Sequence, residues 1–166
     1  MKRIAASLIP LFMLASLAGA STISFNVTMT GSQEVPPNAS TAIGNALVTV
    51  DDVANSVFVS LSFSGLVGGP ASAAHIHCCA LPGVIAPVVI PFGGFPNATS
   101  GTYTNTFLGV SPAIIAGIEA YQGYVNIHNA TFPGGEIRAQ LVPEPASMGL
   151  AAIGLTLVVA KLRRRV

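Results

Sequence analysis

Apolar and polar residues alternate along much of this chain with a period of two. Ile23, Phe25, Val27 and Met29 interleave with Ser24, Asn26 and Thr28, which predicts a strand with one buried face. Val57, Val59, Leu61 and Phe63 interleave with serines after the turn-forming segment Asp51 to Ser56, which predicts a hairpin with a strand near Ala42 to Val50. Further strands are expected over Ala74 to Cys78, Thr102 to Leu108, Tyr124 to His128 and Glu136 to Leu141, the last entered through the turn Pro133-Gly134-Gly135. One helix is expected, with Ser111 as N-cap, Pro112 at its first position, Ile114, Ile115 and Ile118 on one face and Gly123 as the stop. Many short strands separated by Gly and Pro turns predict an all-β antiparallel β-sandwich with one short helix.

Composition shows that this domain is not the whole chain. With 51% hydrophobic and 8% charged residues among 166, the sequence is too apolar for one soluble core. Lys2 and Arg3 precede the apolar run Ile4 to Leu17, and Ala18-Gly19-Ala20 offers small residues for cleavage. That order predicts a signal peptide over 1–20 and a mature start at Ser21; the alternative is a buried N-terminal helix. At the other end Ala146 to Ala160 is nearly all apolar and is followed by Lys161, Arg163, Arg164 and Arg165. A helix over 146–162 spans about 23 to 26 Å, so a transmembrane segment with a cytoplasmic basic end is expected and the domain at 21–142 faces outward.

Both ends carry nearly all the basic charge. Between 21 and 142 one arginine, Arg138, stands against five acids, Glu34, Asp51, Asp52, Glu119 and Glu136, for a net charge of −4. Nucleic acid is excluded as a partner, because backbone binding depends on Lys and Arg neutralising phosphates.

Strand parity points to candidate chemistry. His75 and His77 project together, away from Ile76, and Tyr124, Asn126 and His128 share the face opposite Val125 and Ile127. If the last two strands form a hairpin, His128 lies on a polar face with Glu136 and Arg138. Two histidines at i and i+2 with a third on another strand suit copper or zinc, and Glu136 is then a candidate orienting carboxylate or base. The alternative is that these groups satisfy ordinary hydrogen bonds and that Glu136 with Arg138 is a surface pair. Cys78 and Cys79 are adjacent. On a strand their side chains point oppositely, so an intramolecular disulfide is disfavoured and either could serve as a soft metal ligand or a dimer link.

Two resemblances follow from particular residues. Val142-Pro143-Glu144-Pro145-Ala146-Ser147, the apolar stretch and the arginine cluster resemble the PEP-CTERM sorting signal of Gram-negative bacteria. That resemblance implies a tail over 143–166 cut near Pro143, Glu144 and Pro145 by an exosortase-type enzyme, with release or attachment at the cell surface; a plain single-pass anchor is the alternative. The segments Gly31-Ser32-Gln33-Glu34-Val35-Pro36-Pro37-Asn38, Ala73-Ala74-His75-Ile76-His77, Tyr124-Val125-Asn126-Ile127-His128 and Phe132 to Leu141 resemble the CHRD domain, the module first described in chordin. The resemblance implies an extracellular β-sandwich of undefined role, with Gln33, Glu34, His75, His77, Asn126, His128, Glu136 and Arg138 as its matching polar residues. Cys78-Cys79 departs from the pattern, which more often has glycine after the second histidine. The His-Ile-His strand is also similar to the copper-binding strand of Cu/Zn superoxide dismutases, so the sandwich is expected to be immunoglobulin-like or dismutase-like. Two functional classes result: a non-catalytic surface or matrix module that binds a protein, a polysaccharide or a metal, and a copper- or zinc-dependent redox or hydrolytic enzyme using the three histidines.

Overall fold

A computed structural model describes residues 22–143. The expected signal peptide and the expected membrane span at 146–162 lie outside the described residues, as do Glu144 and Pro145. Among the described residues, no helix is long and apolar enough to cross a membrane.

The described residues form eight strands and one α-helix: β1 (Thr22–Thr30), β2 (Ile43–Asp51), β3 (Ser56–Ser64), β4 (Ala71–His77), β5 (Val88–Pro91), β6 (Gly101–Leu108), α1 (Pro112–Glu119), β7 (Tyr124–Asn129) and β8 (Ile137–Gln140). The alternation read from the sequence sets the burial. Phe25 and Met29 of β1, Val48 and Val50 of β2, and Val57, Val59, Leu61 and Phe63 of β3 are buried, while their serine, threonine and asparagine neighbours mostly face solvent.

The strands form one continuous antiparallel sheet in the order β5-β4-β7-β8-β1-β2-β3-β6, curled into a nearly closed barrel. The sequence reading expected the two separate sheets of a sandwich, and the difference lies at one seam. The halves β5-β4-β7-β8 and β1-β2-β3-β6 meet through the single pair Thr30↔Arg138, a junction that no local pattern reports. At the far edges, aromatic rings take the place of a ladder. Phe92, just after β5, stacks on Tyr103 and Phe107 of β6 with ring centres 5.0 and 5.7 Å apart.

The helix closes one end of the barrel. Its Ile115 and Ile118 are buried in the core, and Tyr121 packs edge-on to Phe25. Pro112 occupies the first turn as expected, but Ser111 makes no side-chain cap hydrogen bond. The stop also differs from the expected Gly123. The helix ends at Glu119, and Tyr121, at φ +63°, turns the chain away.

The cysteines correct a second expectation, because Cys78 and Cys79 are joined as a disulfide. The strand alternation that argued against this bond does not apply, since β4 ends at His77 and both cysteines lie beyond it. Their sulfurs seat against Gly117 of α1, where a Cβ would overlap them. Neither is a thiol ligand or a dimer link here.

Candidate functional site

The site lies on the face of β4, β7 and β8 that points away from the core. Ala74, Ile76, Val125, Ile127, Ile137 and Ala139 of these strands are buried in the core. The register places His75 opposite Asn126, His77 opposite Tyr124, Ala73 opposite His128, and Asn126 opposite Arg138. Period-two geometry therefore gathers His75, His77, Tyr124, Asn126, His128 and Arg138 on one face.

Although this face is outside the barrel, two loops cover much of it. From one side, the segment after Cys79 brings the Ala86 carbonyl to His77 Nδ1 at 2.8 Å and the Val84 carbonyl to the Arg138 guanidinium at 3.3 Å. From the other, the 3-10 turn Gly31–Gln33 carries the chain over the seam and sets Glu34 beside Arg138 and Asn126. A close approach at Gly135, whose φ is +128°, makes room for the Glu34 carboxyl; a Cβ there would overlap it.

The three imidazoles lie close together. Ring centres are 5.0 Å apart for His75 and His128, 5.6 Å for His75 and His77, and 6.2 Å for His77 and His128. One nitrogen from each falls within 4.8 Å of the others. The Nδ1–H of His77 donates to Ala86, which leaves Nε2 with a lone pair, and that buried atom has no hydrogen-bond partner. The buried Nδ1 of His75 is equally unpartnered. His128 faces two acceptors, the Pro133 carbonyl at Nδ1 and Asn126 Oδ1 at Nε2, both at 2.9 Å. A neutral ring has one N–H for those two oxygens.

All three rings are held toward the neutral form. Burial, with the neighbouring charges of His128 and His77, pushes the His75 pKa down to about 4. Burial also lowers His77, against the raising effects of its bond to Ala86 and of the nearby Asn126 side chain, which makes no hydrogen bond to Nε2, and lowers His128, against its bond to Pro133. The imidazoles thus present lone pairs at neutral pH.

A metal fits this donor set with modest adjustment. Ligand nitrogens around a tetrahedral zinc sit about 3.3 Å from one another, as follows from bonds of about 2.05 Å. The widest separation here is 4.8 Å, so an ion would draw the rings inward by side-chain rotation. His75, His77 and His128 would hold it.

Around this cluster Tyr124 acts as a spacer. With β4 and β8 on opposite sides of β7, its ring stacks on His77 at 4.6 Å, interplanar angle 5°, and carries the Arg138 guanidinium at 3.4 Å from its centre. Arg138 is buried and also donates to Gln140 Oε1. Tyr124 was absent from the residues singled out above, although its place in the His128 parity set was the signal that could have included it. Glu34 is 5% exposed, and its Oε1 has no partner. Burial raises its pKa to about 7 against the lowering effect of Arg138 and of hydrogen bonds to Val35 and Asn126. A pocket of about 230 Å³, lined by Glu34, Pro36, Pro37, Phe132 and Pro133 among others, opens beside it.

Two of the expected site residues stand elsewhere. Gln33 is exposed and donates to the Thr28 carbonyl and Thr30 Oγ1, fixing the turn after β1. Glu136 is fully buried just before β8, and its carboxyl oxygens accept from Ser40 Oγ at 2.6 Å, Val67 N at 2.7 Å, Gly68 N at 3.2 Å and Asn129 Nδ2. None of these partners is a histidine. It ties together three connections, so it is neither a surface partner of Arg138 nor the orienting group of the imidazole cluster. Pro143, half-buried, is the only described residue of the sorting tripeptide.

Two family models match the chain, the CHRD domain over residues 25–141 and the PEP-CTERM protein-sorting motif over 141–165. The first covers the described strands from Phe25 to the end of the sheet and contains every residue of the imidazole face. The second begins where the sheet ends; motifs of this kind mark export and C-terminal processing in Gram-negative bacteria and are recognised by exosortase-type enzymes. No curated protein and no solved structure matches the chain.

Proposed function

Because the chain belongs to the CHRD domain family and ends in a PEP-CTERM sorting motif, we propose that it is an exported, surface-attached module that holds a zinc or copper ion on His75, His77 and His128. The observation that carries the reading is the set of unfilled nitrogens. Buried His75 Nδ1 and His77 Nε2 have no partner, and His128 offers one N–H to two acceptors. Leaving buried polar groups unpaired costs about 1 to 3 kcal/mol each. An ordinary hydrogen-bonding role for His75 and His77 would have filled those two positions, and a cation bound by their lone pairs removes the deficit.

When bound, the ion supplies a Lewis-acidic or redox-active centre. The chain's own residues hold His77 and His128 through the Ala86 and Pro133 carbonyls, keep the rings neutral by burial, and wall one side with Tyr124. The arrangement favours holding a metal over catalysis by the scheme first expected. Glu136, the base of that scheme, is committed to Ser40, Val67, Gly68 and Asn129. The surface address rests on the sorting motif and agrees with the signal peptide expected at 1–20, with an exosortase-type enzyme as processing partner and surface polysaccharide or protein as neighbours.

The test is metal content and metal-dependent melting of the exported protein beside a His77→Ala variant. Free zinc at a hundred times the dissociation constant stabilises a one-site protein by about 2.7 kcal/mol. A rise in melting temperature with zinc or copper, lost in His77→Ala, is expected. An identical melt with either ion and with chelator removes the reading.

A further inference from the structure

The exposed apolar side chains of the domain gather at one end, the end from which both tails leave. Register fixes which segments share it. Thr22 of β1 pairs with Asp51, and β1 runs antiparallel to β8, so the start of β1, the turn between β2 and β3, the end of β8 and the start of β7 point the same way. β4 ends there as well, because His77 pairs with Tyr124. Hydrogen bonds stitch the segments together: Val110 N to Asn55 O at 2.9 Å, Ala80 N to Gln122 O at 3.3 Å, and Leu141 N to Gly123 O at 2.9 Å.

This end carries Val53, Leu81, Val84, Ile85, Val88, Leu108, Tyr121 and Val142, eight of the eleven large hydrophobic residues exposed among those described. Leu81 is 68% exposed, Ile85 67% and Leu108 78%. Clustered exposure of this kind marks an interaction surface. No Asp, Glu, Lys or Arg occurs from Val53 to Ile118, and the domain's one basic side chain, Arg138, is buried. The acidic residues at this end are Asp51, Asp52 and Glu119. What meets the surface is therefore apolar and is not recruited by basic charge.

Chain connectivity selects the occupant. The apolar run 146–160 begins three residues after Pro143. Three extended residues reach about 10 Å. A chain whose tail run sits in a bilayer therefore holds this end of the domain against the lipid surface. We propose that the Leu81–Val88 loop, with Leu108, Tyr121 and Val142 around it, docks into the outer surface of the bilayer while the protein is tethered. The docking rests on reading the 146–160 run as membrane-embedded before processing, and it is independent of the imidazole cluster. Each added apolar contact needs little affinity, because the tether makes the encounter intramolecular. The loop that dips into lipid is also the one that roofs His77 and Arg138 through Ala86 and Val84.

The chain contains no tryptophan, so single reporters can be placed cleanly. The chain from Ser21 to Val166, without the apolar run 4–17, would be reconstituted in phosphatidylcholine vesicles as Ile85→Trp and, at the opposite end, as Val67→Trp, an exposed position between β3 and β4. Flotation with the vesicles reads the tether. Blue-shifted emission, with quenching by lipids brominated in their acyl chains, reads the docking. The expected result is a buried, lipid-quenched Ile85→Trp and a water-exposed Val67→Trp, with little dependence on salt. Adding Leu81→Ser to Ile85→Trp should lower the docked-to-undocked ratio about tenfold, near the burial worth of one branched aliphatic side chain. If the chain floats and both reporters stay equally exposed, the docking is refuted while the tether stands. Failure to float removes the tether and the docking with it. Shielding of Ile85→Trp that grows with protein concentration in the absence of vesicles assigns this end to a second copy and overturns the lipid reading.

Discussion

Replacing Glu34 with glutamine should remove from the domain's stability a component that falls between pH 4.5 and 7. The carboxyl is 5% exposed, lies beside the Arg138 guanidinium, and has one oxygen without a partner. Burial raises its pKa from 4.5 to about 7 despite the arginine. The folded state then holds the proton more tightly than the unfolded state does. Stability from this group is fully present below pH 4.5 and is lost as pH rises through 7. A shift of that size at about 1.36 kcal/mol per pKa unit amounts to about 3 kcal/mol across the window. The three histidines titrate in the same range with the opposite sign, because burial depresses them and charging them favours the unfolded chain. The informative quantity is therefore the difference between wild type and Glu34→Gln. Urea unfolding followed by circular dichroism at pH 4.5, 5.5, 6.5 and 7.5, with chelator to keep the imidazole cluster metal-free, should show wild type losing about 3 kcal/mol relative to the variant. Parallel curves would refute the assignment of a proton to buried Glu34.

Two further substitutions separate structural roles from the candidate site. Glu136→Ala leaves the donors of Ser40, Val67, Gly68 and Asn129 without their acceptor and should cost about 3 to 5 kcal/mol in urea unfolding, with the zinc or copper affinity of the surviving fold unchanged. A cost below about 1 kcal/mol would show that water replaces the carboxyl, since a single typical hydrogen bond is worth that much. Gly117→Ala pushes a methyl group into the Cys78 and Cys79 sulfurs and should destabilise by about 1 to 3 kcal/mol. The same substitution after reduction should cost less if the sulfurs can then move aside, and calorimetry with and without reductant reads the difference.

How much was legible in the sequence depended on the range of the information. The β1, β2 and β3 alternation is local and strong, and the structure follows it residue by residue, including a hairpin register from Ile43↔Ser64 to Asp51↔Ser56. Parity likewise put His75 with His77, and His128 with Asn126, on common faces, and pairing then joined them. β5 was not read at all, because Val88–Pro91 is four residues long, bounded by prolines and without alternation. Glu136 was misplaced for a sharper reason. Parity was extended through position 136, but the strand begins at Ile137, and the side chain turns toward Ser40, Val67 and Gly68, which are 96, 69 and 68 residues away in sequence. Distant partners of that kind leave no periodic trace.

The seam between the sheet halves explains why the site has the composition it does. Thr30↔Arg138 is the one pair that joins them, and Arg138 is also the cation of the imidazole face. The 3-10 turn that follows Thr30 crosses the same seam, so the carboxyl nearest Arg138 comes from the β1 half while all three histidines come from the other. Glu34 therefore meets Arg138 and Asn126 only when the halves close. The raised pKa of Glu34 and its approach to Arg138 depend on closure, whereas the guanidinium stacked on Tyr124 belongs to the β7–β8 hairpin and the imidazoles to β4 and β7. Asn126, which touches both the Glu34 carboxyl and His128, is the point at which the state of the seam reaches the nitrogens available to a metal.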